Sequence, residues 1–100
     1  MEMQEKIDAL YGVITALQTE QQCRDLFEDL CTQKEIEKMA ERLYAASLLL
    51  AGNTYNQVIA QTDISSATLS RVSRCVQYGK GYSSVLRQET GGNRQYESKA

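Results

Sequence analysis

One hundred residues, 42% of them hydrophobic and carrying a net charge of −2, make one small domain with a single core and leave no room for a second. Proline is absent and Leu, Ala, Glu, Gln and Arg fill long stretches, so an all-α fold is expected. With no histidine, no CxxC, no GxGxxG and no GxxxxGKS/T, the sequence argues against a zinc cluster, a disulfide framework, a nucleotide site and an enzyme, and no metal or cofactor is expected.

The first ten residues, MEMQEKIDAL, lack the basic segment and apolar core of a signal peptide, and no apolar run is long enough to span a bilayer. A cytoplasmic protein without a membrane partner is expected. Cys23, Cys31 and Cys75 are expected to be buried thiols, since free cysteine behaves as a small hydrophobe.

Along the chain, Ile7, Leu10, Tyr11, Ile14 and Leu17 recur at helical spacing and predict a first amphipathic helix, broken near Thr19. Thr19-Glu-Gln-Gln22 has the form of a capping box, and Cys23, Leu26, Phe27, Leu30 and Cys31 then supply one apolar face. Thr32-Gln-Lys-Glu35 repeats the signal and opens the longest helix, whose stripe of Ile36, Met39, Ala40, Leu43, Ala46, Ser47 and Leu50 reads as core. Gly52-Asn53 is a left-handed stop, and Thr54 with Gln57 can cap a fourth helix over about Tyr55 to Thr62. A fifth runs from about Ser66 to Val76, and a weaker sixth carries Lys80, Tyr82, Val85, Leu86 and Arg87. The tail, residues 89–100, is almost without apolar content and is expected to be disordered.

The segment from about 54 to 76 has the pattern of a DNA-reading helix-turn-helix, with Val58, Thr62, Ile64, Leu69 and Val72 placed to clamp its two helices together. Asp63 and Ile64 make the turn, where a positive φ is expected at some strain. Charge divides the same way: residues 1–53 hold 5 basic and 10 acidic residues, whereas 54–88 hold Arg71, Arg74, Lys80 and Arg87 against Asp63 alone. The alternating charges Lys34, Glu35, Glu37, Lys38, Glu41 and Arg42, with Glu28 and Asp29, read mostly as a solvated face.

The candidate DNA-binding residues are Ser65, Ser66, Ala67, Thr68, Ser70, Arg71, Arg74 and Lys80. Ser65 or Ser66 can cap the recognition helix, touch phosphate, or do both. Thr68, in the first turn, is the leading candidate for direct base reading, and Arg71 and Arg74 can bind guanine or phosphate. Lys80 suits a phosphate interaction that carries no sequence information. Three amphipathic helices precede this unit, and a homodimer would bury their apolar faces, although a monomeric core would also accommodate them.

The phrases LYGVITAL, FEDLCTQKEIEKMAERL, GNTYNQV, SSATLSRVSRCVQYG and GY, spread over about Ile7 to Leu86, resemble the Trp repressor superfamily and most closely its TrpR-related YerC/YecD branch. The resemblance implies a six-helix domain over residues 1–88 that pairs as an intertwined homodimer, with N-terminal helices in a shared core and two projecting reading heads. It also implies an effector site: Arg42 and Arg71 align with the two arginines that hold tryptophan in the family's namesake, and Thr32 with a further pocket residue. Here Val72 replaces the glycine of the pocket floor and Cys75 a serine. Tryptophan is therefore a poor fit, which leaves Arg42 and Arg71 as structural or DNA-facing residues, with some other small effector at Thr32, Arg42, Arg71 and Cys75, or none, controlling the head.

The function expected is a sequence-specific DNA-binding transcriptional regulator, a repressor by preference, with double-stranded DNA as partner. The alternative is a helical protein-interaction module in which the helix-turn-helix is scaffold.

Overall fold

The computed structural model describes residues 1–88, so the tail expected to be disordered lies outside the described residues. The fold is all-α. Six helices follow one another: α1 (Met3–Thr15), α2 (Glu20–Leu30), α3 (Gln33–Leu50), α4 (Tyr55–Gln61), α5 (Ser66–Tyr78) and α6 (Gly81–Gln88), with no strand among the described residues. They fall into two compact units, Met1–Ile36 and the chain from Glu37 onward.

Local chemistry sets the helix starts. At α2 the Gln22 amide donates to Thr19 Oγ1 at 3.0 Å while the Thr19 amide donates to Gln22 Oε1 at 3.3 Å. The same reciprocal pair opens α3 through Thr32 and Glu35 (3.1 and 2.7 Å) and α4 through Thr54 and Gln57 (3.2 and 2.8 Å). Each pair satisfies two backbone donors that a helix start would otherwise leave without a partner. The backbone and side-chain bonds from Thr32 hold the Glu35 carboxyl below its ordinary pKa.

α3 ends in a Schellman motif: Gly52 takes φ +99°, its amide donates to Leu49 O at 3.0 Å, and the Asn53 amide donates to Leu48 O at 3.0 Å. Asn53 Nδ2 also donates to Leu48 O, at 3.0 Å.

The N-terminal unit contains no buried side chain. Met3, Tyr11, Val13 and Leu30 are all more than half exposed, and the apolar faces of α1 and α2 are only partly covered. The second unit holds the core, in two clusters that share Leu49 and Ile64 at their margins. Ala45, Leu48, Val58 and Leu69 form one; Ala46, Val72 and Leu86 form the other.

Several expectations need correction. α1 stops at Thr15, leaving Leu17 outside it, and α5 runs two residues past Val76. On α3 the predicted stripe is buried only in part: Ala46 and Ser47 are buried and Ile36, Met39 and Leu50 half-buried, but Ala40 and Leu43 are exposed, and Ala45 and Leu48, outside the stripe, are buried with Ala46 and Ser47 as four consecutive residues. Four consecutive positions point almost all round a helix, so α3 is surrounded there and not packed on one face. The three thiols are half-buried and not buried, and all are free.

Gly79 ends α5 for a steric reason. Its amide donates to Cys75 O at 2.8 Å, and a Cβ built on it would lie 2.7 Å from that same carbonyl oxygen. Gly79→Ala is expected to cost about 1–3 kcal/mol, since neither backbone atom can move without uncoiling the last turn. A urea midpoint equal to that of the parent protein would count against this account.

Candidate nucleic-acid interface

The helix-turn-helix is built as the spacing predicted. Val58 of α4 and Leu69 and Val72 of α5 are buried, with Ile64 half-buried between the two clusters. Thr62 Oγ1 donates back to Val58 O at 2.9 Å and closes the end of α4. The turn itself differs from expectation. Among the described residues only Gly52 has a positive φ, and the connector is extended at both ends, with Thr62 at φ −136°, ψ 169° and Ser65 at φ −73°, ψ 157°. Four residues between the helices give room to reverse direction without a left-handed residue, so the expected strain at Asp63 is absent. Its amide instead donates to Glu41 Oε1 of α3 at 3.0 Å.

On α5, burial recurs at Leu69, Val72, Ser73 and, in part, Val76. The opposite stripe, Ala67, Ser70, Arg71, Arg74 and Tyr78, is exposed. The stripe is continuous at helical spacing and holds two of the cations of this segment. Tyr78, 81% exposed, belongs to it and was not singled out from the sequence; its spacing of four from Arg74 was the available signal.

The helix start is capped by Ser65, whose Oγ accepts the Thr68 amide at 3.2 Å and donates to Thr68 Oγ1 at 3.0 Å. Capping is thus a role of Ser65 in the free protein, while Ser66 is exposed at the first helical position. Thr68 is half-buried, with its hydroxyl engaged by that cap. Ser70 is exposed, and the Ser73 and then the Ser70 hydroxyl, with a smaller contribution from Arg74, hold the Tyr55 phenol below its ordinary pKa. Lys80 is exposed in the connector before α6, just outside the helix in which it was expected, and its carbonyl accepts the Ser84 amide at 3.2 Å.

The expected effector residues are partly assembled. Arg42, Arg71 and Cys75 line one recess of about 420 Å³ together with Thr68, Val72 and Tyr82. Thr32 belongs to the N-terminal unit, where its hydroxyl caps α3. A second, apolar hollow of about 450 Å³ is walled by Leu43, Cys75, Tyr82, Val85 and Leu86, so Cys75 borders both. No group of three or more metal-ligating side chains occurs among the described residues, and no described helix is long and apolar enough to cross a membrane.

Comparison with known proteins decides the family. The profile of the Trp repressor protein family matches residues 5–90, which spans both units and the whole helix-turn-helix. The chain belongs to the Trp repressor family. It is 43% identical over 74 residues to the uncharacterized protein YerC of Bacillus subtilis (strain 168), covering 74% of this chain and 71% of that one. Among solved structures it is similar to a proposed Trp repressor from Staphylococcus aureus, with a TM-score of 0.78 and 32% identity over 88% of this chain and 93% of the other. A TrpR-like protein from Eubacterium eligens ATCC 27750 gives a TM-score of 0.78 and 34% identity over 84% and 88% of the two chains. These likenesses agree with the six-helix, all-α architecture of this Trp repressor family member.

Proposed function

We propose that this member of the Trp repressor family is a cytoplasmic, sequence-specific DNA-binding transcriptional repressor that acts as a homodimer and without catalysis, its folded domain occupying residues 1–88. The observation that carries the reading is the exposed stripe of α5. A helix whose opposite face is locked into α3 and α4 by Leu69 and Val72 offers Ala67, Ser70, Arg71 and Arg74 outward from the one stretch of the chain with a positive balance. Ser66 and the capped start of α5 would meet phosphate, Thr68, Ser70 and Arg71 the base edges, and Arg74 and Lys80 the backbone.

The uncovered apolar residues of α1 and α2 support the dimer, since helices of this length gain little unless their apolar faces are buried. The recess of Arg42 and Arg71 supports a small anionic effector, and Val72 and Cys75 in its wall give it an apolar side.

Selection of bound sequences from a random duplex pool, at two salt concentrations, tests the reading. A palindromic motif with half-sites about 34 Å apart is expected. Salt-sensitive binding without a motif would reduce the protein to a non-specific binder, and no binding would favour an interaction module. On the selected duplex, Thr68→Ala should lose discrimination against single-base changes, whereas Lys80→Ala should weaken all sequences alike and lower the salt slope by about 1 for each phosphate that Lys80 neutralises. Equal losses on matched and mismatched duplexes for both variants would refute that division of roles.

A further inference from the structure

The connector between α4 and α5 sets where the recognition helix starts, yet it has neither a glycine nor a left-handed residue to fix its path. Its second amide, that of Asp63, finds its acceptor 22 positions away, in Glu41 Oε1 on α3 at 3.0 Å. The capping bonds that start α2, α3 and α4 span three positions and fix one helix each. The Asp63 bond instead ties the reading head's turn to the central helix. We propose that Glu41 is a positioning residue for DNA reading, a carboxylate latch that fixes the α4–α5 connector, and through it the start of α5, against α3; the inference rests on the DNA-reading assignment above.

Three further observations support the latch. Glu41 is half-buried although its bond to Asp63 lies at the surface, and a carboxylate accepting a backbone amide makes a stronger bond than a neutral pair. Ile64, next to Asp63, packs against both core clusters, and Ser65, one residue further, is the cap of α5, so displacement of Asp63 is passed directly to the helix start. Arg42, adjacent to Glu41, lines the recess that also contains Arg71 of α5. One turn of α3 therefore reaches the recognition helix at its connector and on its flank.

The test compares the full chain with Glu41→Ala and with Glu41→Gln, whose amide oxygen can still accept the Asp63 N–H. Amide hydrogen exchange is read at Asp63 and Leu69, and affinity for the selected duplex is read alongside. In Glu41→Ala the Asp63 amide should exchange about tenfold faster and affinity should fall about five- to tenfold, with Leu69 exchange unchanged, the size expected for removal of a charge-assisted bond. Glu41→Gln, which keeps the acceptor but not its charge, should fall between the parent and Glu41→Ala in each reading, at about two- to fourfold. Unchanged exchange at Asp63 in Glu41→Ala would overturn the latch, as would faster exchange there with full affinity. Parallel acceleration at Leu69 would overturn it in favour of a general stability role. If the parent protein binds no duplex, the DNA-reading assignment fails, and Asp63 exchange alone decides whether the connector is latched.

Discussion

Arg71→Glu should lower affinity for the selected duplex by about a hundredfold or more, combining removal of a base interaction that discriminates by roughly 1–3 kcal/mol with repulsion between the new carboxylate and phosphate. The expectation comes from position. Arg71 is exposed on the stripe that faces away from the core, one turn before Arg74, and its neighbours Leu69 and Val72 are pinned inside, so the guanidinium cannot retreat by rotating the helix. Because Arg71 is exposed and no buried side-chain polar atom among the described residues lacks a partner, the substitution should leave the thermal midpoint close to that of the parent. Fluorescence anisotropy on matched and scrambled duplexes, with a thermal melt of the same sample, separates the two effects. A loss of less than about threefold on the matched duplex would remove Arg71 from the interface.

Leu69→Ala should be the most damaging single truncation in the second unit, at about 3 kcal/mol and within the roughly 2–5 kcal/mol range of buried leucines. Leu69 is 0% exposed and shares its cluster with Ala45, Leu48 and Val58, so α3, α4 and α5 all meet at its side chain. Alanines on α3 leave little that could swing in to fill the void, which places the cost above the lower limit. Against a total stability of about 5–15 kcal/mol for a domain, the loss is a large share and should appear as a lower urea midpoint with DNA binding reduced in proportion. A cost under about 1 kcal/mol would mean that the cluster collapses around the vacancy.

Features specified within a few residues were legible in the sequence. The Thr-x-x-Glu/Gln boxes at Thr19, Thr32 and Thr54 stand where helices begin, Gly52 takes the left-handed conformation, and Val58, Leu69 and Val72 are buried as their spacing required. What escaped depended on neighbours remote in sequence. Glu41 looked like one of many surface charges because Asp63 lies 22 residues away. The turn was expected to need a positive φ at Asp63 and Ile64, as such turns commonly do, whereas the four-residue connector has none. The α3 stripe found Ala46 and Ser47 but missed Ala45 and Leu48, because a one-sided pattern cannot announce that residues 45–48 are enclosed from nearly every side. Within the site, α5 and its outward cations were readable from periodicity, whereas the lowered pKa of Tyr55 beside Ser73 and Ser70 needed α4 and α5 placed in space.

The repeated threonine boxes also bear on how quickly the chain can fold. Each closes a loop of three residues, an event limited by local bond rotation and not by diffusion of distant segments. Nucleation is the costly step of helix formation, and a reciprocal side-chain pair lowers it at a chosen residue, so the registers of α2, α3 and α4 are selected in the fluctuating denatured ensemble. With helix limits decided locally, the remaining search is the docking of preformed rods, so the slow steps of folding lie in packing and association and not in choosing where α2, α3 and α4 begin.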